Sequence, residues 1–179
     1  MDEEADPITQ RAEDLRRSFD GSFANAHRGE ADPHEDFVTI RVAANVYAIR
    51  LTEISGLFDG KTVTPVPGSV PGLLGVASFR GTIVPVFDLR ALLGYPGSEL
   101  PRWLALVPGA SPVSLAFDQF EGYLRVSRSA APIDYLPGPQ REIVREVVSV
   151  AGTLRPVLHL PSILDEIGKR ARRGLEKER

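Results

Sequence analysis

The sequence predicts a mainly β protein made of two similar small barrels that share one core. Three observations carry the prediction. Hydrophobic residues alternate with polar ones from Phe37 onward, Gly and Pro punctuate the chain at about ten-residue intervals, and an internal repeat relates the two halves. The 179 residues, 42% of them hydrophobic, suffice for one ordinary domain or two very small, intimately packed ones.

Residues 1–36 stand apart. They hold eleven acidic and four basic residues, a net of −7, which leaves +4 for the rest of a chain whose total is −3. Few large apolar side chains interrupt this stretch, so it reads as a flexible acidic extension. Within it Ile8, Ala12, Leu15 and Phe19 fall on one face of a helix that would begin near Pro7, with Asp6 as N-cap. The preferred reading is a frayed helix, or one lying on the protein's own surface, rather than a helix that docks a partner. Residues 21–36 read as a linker.

The β pattern starts with Phe37-Val-Thr-Ile-Arg-Val and Val46-Tyr-Ala-Ile-Arg-Leu, two alternating runs with Asn45 marking the turn, which together read as a hairpin. Gly56-Leu-Phe-Asp-Gly-Lys-Thr62 superficially suggests a phosphate loop. Only three residues separate its glycines, and Val63-Thr-Pro-Val-Pro cannot open the helix that such a loop needs. Asp59-Gly60 reads instead as a tight hairpin turn. Short strands at this spacing, without alternating helices, indicate an antiparallel barrel or sandwich.

The repeat sets Gly81-Thr-Ile-Val-Pro-Val-Phe-Asp-Leu-Arg-Ala-Leu-Leu against Gly152-Thr-Leu-Arg-Pro-Val-Leu-His-Leu-Pro-Ser-Ile-Leu. Pro85 and Pro156, Val86 and Val157, and Leu89 and Leu160 are in register. A weaker echo relates Ala48-Ile-Arg-Leu-Thr-Glu-Ile-Ser-Gly56 to Ser114-Leu-Ala-Phe-Asp-Gln-Phe-Glu-Gly122. Each half is too short to be comfortable alone. A C-terminal helix follows, with Ser162-Ile-Leu-Asp165 in capping-box form and Leu164, Ile167, Ala171 and Leu175 down one face. Its basic residues Lys169, Arg170, Arg172 and Arg173 suit the negative end of the helix dipole.

Little in the chain points to catalysis. Zero cysteine excludes thiol nucleophiles, thiolate zinc sites, iron–sulfur clusters and disulfides. His27 and His34 lack the spacing of metal ligands, His159 lies between two leucines of a strand, and no Gly-x-Ser-x-Gly elbow occurs. The expectation is a protein that is not an enzyme and that uses no metal or cofactor. No apolar run approaches the roughly 20 residues that span a bilayer, and the acidic first residues are unlike a secretory signal, which predicts a cytoplasmic protein. What remains is surface recognition, centred on Gly72 to Arg90, where glycines permit sharp bends and Arg80 stands beside Phe79. The bland reading of that stretch is a barrel corner whose arginine pairs with an acid.

Gly75-Val-Ala-Ser-Phe-Arg-Gly-Thr-Ile-Val-Pro-Val-Phe-Asp-Leu-Arg90 resembles the signature of the CheW-like chemotaxis coupling proteins. The resemblance runs from about Phe37 to Ile167. It implies two intertwined, five-stranded, SH3-like barrels in residues 37–167, leaving 168–179 as a basic helix end. It further implies a non-enzymatic adaptor that links the cytoplasmic tip of methyl-accepting chemoreceptors to the regulatory domain of a CheA-type histidine kinase, in two-component signalling at membrane-associated receptor arrays. Neither nucleic acid nor direct membrane insertion belongs to that picture. By the same resemblance Gly75 and Arg80 correspond to receptor-contact positions, and Val76 and Phe79 line the same region. Asp118 matches the family's Val-Asp element, with a turn or strand-edge hydrogen bond as its ordinary role. The sequence departs from the pattern where Ser78-Phe79 replaces Asn-Leu, where Gly122 replaces a common acid, and where His159 replaces another. Two alternatives stand beside this reading: a divergent coupler in a motility or developmental pathway, and an OB- or SH3-like barrel that binds nucleic acid, suggested by the +4 balance and 18 arginines beyond and within the extension.

Overall fold

The computed structural model describes residues 34–67, 70–97, 101–127, 131–132, 140–150 and 152–177. The chain divides into two units, Met1–His34 and Glu35–Arg179, and the architecture below is that of the second. The helix expected near Pro7 and most of the linker lie outside the described residues.

The first hairpin joins β1 (His34–Val42) to β2 (Asn45–Arg50), in the register Phe37 opposite Arg50 and Val42 opposite Asn45. Its turn is Ala43-Ala44, so Asn45 opens the second strand rather than marking the bend. A 3-10 turn (Leu51–Glu53) leads to β3 (Gly56–Asp59). A second hairpin, β4 (Leu73–Phe79) and β5 (Thr82–Asp88), runs into the short helix α1 (Leu89–Leu93). The other half repeats the order with β6 (Trp103–Val107), β7 (Val113–Phe117) and β8 (Gln119–Ser127). Then come β9 (Ala131–Pro132), α2 (Gln140–Ile143), β10 (Val144–Val150), β11 (Thr153–Leu158) and α3 (Leu160–Lys177).

The halves are swapped into one another. One sheet has the order β8-β1-β2-β11-β10-β9, the other β3-β6-β7-β5-β4. Each barrel therefore takes two strands from one half and three from the other, with the two-residue β9 as an addition to the first. The repeated hairpins sit in equivalent places. β5 runs parallel to β7 with Val86 opposite Ser114, and β11 runs parallel to β2 with Val157 opposite Ala48. These are the pairs that the repeat and its weaker echo align, so the echo is a true structural correspondence.

Three hydrophobic clusters follow from this topology. Phe37, Ala48, Val148 and Val157, with Leu124 and Val126, fill the first barrel. Ala77, Phe79, Val84, Val86, Leu104 and Ala116, with Phe58 and Leu106, fill the second. Between them lies a shared core that includes Val38, Ile40, Ile49, Phe87, Leu115, Phe117, Leu158 and Ile163. A strand here is buried on both faces. In β7 every residue is buried, with Ser114 and Ala116 turned to the narrow barrel and Val113, Leu115 and Phe117 to the shared core. Small residues suit the barrel face because little room remains inside so few strands.

Two further local expectations are corrected. Asp59-Gly60 does not join a hairpin, because β3 pairs with β6, Asp59 standing opposite Trp103. Gly60 has φ +61 and turns the chain away, while the Asp59 carboxylate accepts from Arg102 Nε and Nη2 at 2.6 and 2.7 Å. The C-terminal helix starts earlier than the capping-box pattern suggests. His159 precedes it, its Nδ1 accepting from the Ser162 amide at 3.2 Å and its carbonyl accepting from the Ile163 amide. Leu160, Ile163 and Ile167 then pack on the shared core, and Arg170 Nη1 donates to the Ala91 carbonyl of α1 at 3.1 Å.

Candidate functional site

The strand β4 carries the residues singled out in the sequence. A one-residue bulge at Leu74 shifts its register, so that Leu73 faces Phe87 and Gly75 faces Val86. Gly75 is buried with φ +147, and a Cβ there would lie 2.1 Å from the Thr64 carbonyl oxygen and 2.9 Å from Pro65 Cα. Only glycine admits this approach. The segment that crosses Gly75 is fixed by Val76, which exchanges two backbone hydrogen bonds of 2.8 Å with Thr64. Gly75 and Val76 thus hold a loop in place over the strand.

Phe79 points inward and is 4% exposed, in the core of the second barrel. Its ring meets that of Phe58 edge-on, the centroids 4.8 Å apart. Because Phe58 lies on β3 and Phe79 on β4, the two outer strands of that sheet, this contact helps close the barrel. Lys61 covers the pair, with Nζ 5.0 Å from the Phe79 centroid and 5.5 Å from that of Phe58.

Arg80 occupies the tip. The two-residue turn between Phe79 and Thr82 has positive φ at both centres, +50 at Arg80 and +85 at Gly81, the type I′ pattern that favours Asn or Gly at the first position. A left-handed arginine is strained, and such strain persists where the surroundings or a function retain it. Ala43 has a similar φ of +54, but its amide donates to Asp118 Oδ2 at 2.6 Å. Arg80 is exposed and, among the described residues, has no carboxylate partner, unlike the corner arginine of the bland reading. Beside it on the outer face of the hairpin stand Ser78 and Ile83, paired across the strands, with Ile83 72% exposed.

The Asp-Leu-Arg end of the same stretch is structural. Asp88 Oδ1 accepts from the Arg90 amide at 2.8 Å and caps α1. Burial pushes the Asp88 carboxyl above the ordinary range, opposed by that amide and by the Arg90 charge. Arg90 Nε donates to both oxygens of Asp118, at 2.9 and 3.0 Å. Asp118 in turn receives the Ala43 amide, so one carboxylate ties α1, the β1–β2 turn and the start of β8 together. The sequence assigned Asp118 a hydrogen-bonding role but gave no hint of Arg90 as its partner.

The family profile of the CheW-like domain matches residues 36–168. The chain belongs to the CheW-like family. Its matched region contains both barrels and the first turns of α3, and its class is that of the CheW-like adaptor and scaffold proteins of chemotaxis. Over 66 residues, 37% of this chain and 42% of the relative, it is 35% identical to the chemotaxis protein CheW of Bacillus subtilis. With CheW of Thermotoga maritima the identity is 25% over 141 residues, 76% of this chain and 93% of that one. The scaffolding protein TtCheW of Thermoanaerobacter tengcongensis shares the fold, with a TM-score of 0.65 at 15% identity over 71% of this chain and 90% of its own. Among the described residues no group of three or more His, Asp or Glu is placed to hold a metal ion, and no helix is long and apolar enough to cross a membrane.

Lys61, Phe58 and Thr64 entered the sequence reading only within the rejected phosphate-loop stretch and the residues that follow it. The available signal was Phe79, an aromatic residue where the family has leucine, which asks for a neighbour large enough to pack it.

Proposed function

We propose that this CheW-like protein is a non-enzymatic cytoplasmic adaptor that couples methyl-accepting chemoreceptors to a CheA-type histidine kinase within receptor arrays. The end of the β4–β5 hairpin is its receptor surface. Arg80 makes the direct contact, Gly75 and Val76 fix the crossing loop, and Phe79 holds the turn from below. The observation that carries this reading is Arg80 itself: an exposed cation kept in a left-handed conformation at a hairpin tip, with no carboxylate partner among the described residues. A surface cation with no structural duty, retained at the expense of backbone strain, suits partner recognition.

The test is a co-sedimentation or pull-down of Arg80→Ala with a receptor cytoplasmic-tip fragment and, separately, with the kinase regulatory domain. Receptor binding should weaken by about tenfold, as for an interface residue whose truncation costs more than about 1 kcal/mol, while kinase binding and the unfolding midpoint stay unchanged. Undiminished receptor binding by the variant would show the surface to be wrongly placed. Identification of the kinase and receptor captured by the wild-type protein separates swimming chemotaxis from a motility or developmental pathway.

A further inference from the structure

Lys61 stands out among the charged residues of the second barrel because its charge is positioned but not neutralised. Its ammonium rests on Phe58 and Phe79 at 5.5 and 5.0 Å from the ring centroids. The acid closest in sequence, Asp59, is engaged by two hydrogen bonds from Arg102, which hold its carboxyl below the ordinary range. No carboxylate pairs with Lys61 among the described residues. A lysine ammonium has three N–H donors, and contact with ring faces satisfies none of them as an oxygen acceptor would.

The rings also restrict the side chain. A free lysine loses much rotamer entropy when it is fixed in an interface, and a side chain already docked on aromatic faces loses less. Phe79 immediately precedes Arg80, so the ring that seats Lys61 belongs to the same hairpin end that presents the guanidinium. Two cations without carboxylate partners therefore mark one end of one barrel, and the chemistry that complements them is a pair of carboxylates.

We infer that Lys61 is a second partner-reading cation of this surface, seated by the Phe58–Phe79 ring pair to receive a carboxylate of the docking partner alongside Arg80. The inference rests on the receptor-docking reading above and adds the chemistry of what is read. The partner is an acidic protein surface rather than a nucleic acid. Sequence-independent strand binding needs exposed rings for base stacking, and here Phe79 is 4% exposed and Phe58 lies beneath the lysine. The ring of Phe79 is half of this seat, so the position of the Lys61 ammonium depends on an aromatic residue at that place.

The experiment is a calorimetric titration of the full chain with a purified chemoreceptor cytoplasmic-tip fragment at low and high salt. Wild type is compared with Lys61→Met, Lys61→Arg, Phe79→Leu and Arg80→Ala, the unfolding midpoint of each being measured in parallel. Lys61→Met keeps the apolar stem and should bind about three- to fivefold more weakly at low salt, the range of one partly exposed charge pair, with the difference shrinking at high salt. Lys61→Arg should restore binding, and Phe79→Leu should reproduce part of the loss with Arg80 intact. Equal binding by Lys61→Met and wild type, while Arg80→Ala weakens the complex, overturns the inference and leaves the receptor surface standing. Equal binding by both variants overturns the receptor surface as well. A loss in Lys61→Met that Lys61→Arg fails to restore, or that persists unchanged at high salt, also overturns the inference, because it reports packing rather than charge.

Discussion

The hairpins β4–β5 and β10–β11 are one device used twice. Each closes on a two-residue turn whose second residue is a left-handed glycine, Gly81 with φ +85 and Gly152 with φ +78. Each carries a one-residue bulge at the same place, Leu74 before the residue facing Val86 and Arg145 before the residue facing Val157. Each ends in a residue that caps the following helix. Single side chains then divide their uses. Where β4 has Gly75, crossed by the Thr64 backbone, β10 has Glu146, which accepts from Arg50. The first hairpin leads to the five residues of α1 and presents its tip outward. The second leads to the eighteen of α3, whose first turns cover the shared core. The lesson is that turn, bulge and cap set the frame, while the residue just after the bulge decides what packs on it.

The sharpest test of that division is the pair Gly75→Ala and Glu146→Ala. The first adds a methyl group 2.1 Å from a carbonyl oxygen. It should destabilise by about 3 kcal/mol or more, as overpacking against backbone at a left-handed site demands. The second removes a partly exposed ion pair and leaves Arg50 its other partner, Glu35 at 2.6 Å. About 1 kcal/mol is expected there. Chemical denaturation measures both, and equal losses would mean that the two positions are not differently used.

Next in size is the pair that binds the halves to each other. Asp118 and Arg90 have side chains only 16% and 11% exposed. Asp118→Ala removes the carboxylate that accepts from Arg90 Nε and from the Ala43 amide, and a loss of about 3 kcal/mol is expected for a largely buried carboxylate that joins two elements. The double variant Asp118→Ala/Arg90→Leu should recover part of it. Additive losses would show that the two side chains act independently.

How much of this was legible in the sequence follows from which contacts are local. The β1–β2 hairpin and the repeat could be read because period-two patterning and turn glycines are local signals. The exchange of strands between barrels came only with the family resemblance, which implied intertwined barrels, since nothing within Gly56–Asp59 itself indicates that β3 pairs with β6 rather than with its neighbours in sequence. Double-faced burial hid the strand faces as well. Ser114 and Ala116 look like the polar side of a half-exposed strand, yet they line a barrel interior. In the candidate site, Arg80 was legible in the residues themselves as a cation beside an aromatic ring at a glycine bend, and the family resemblance added Gly75 and the receptor-contact role of both. Lys61 was dismissed with the false phosphate loop, because its role depends on two rings brought together by barrel closure.

The helix caps offer a finer comparison. Asp88→Ala should cost about 1 kcal/mol through loss of the cap, whereas Asp88→Asn keeps an oxygen for the Arg90 amide. Burial raises the Asp88 carboxyl in the folded protein. The unfolded chain therefore releases this proton at lower pH than the native one, and the residue's titration erodes stability as pH rises through the folded value. The Asn variant should gain on wild type across that window in thermal melts at stepped pH. A constant difference would show that burial does not govern this carboxyl.

His159, at the matching position, has the opposite sign and the smallest effect. Partial burial, reinforced by the Arg145 and Arg50 charges and opposed by Asp165, lowers its pKa from the ordinary 6.5. The neutral ring is the form that works as a cap, because Nδ1 accepts from the Ser162 amide and a proton there would meet that N–H head-on. A folded pKa below the unfolded one means that the unfolded state binds more protons in between. The stabilisation is complete above pH 6.5 and disappears as pH falls through the folded value. His159→Asp installs the residue type of the first hairpin, an acceptor whose ordinary titration range lies well below that of the imidazole. Melts of wild type should therefore decline below pH 6.5 while those of His159→Asp remain flatter, measured against Ser162→Ala, which keeps the titrating ring. If wild type and His159→Asp decline in parallel, the slope belongs to other groups and the two caps are equivalent in use as well as in place.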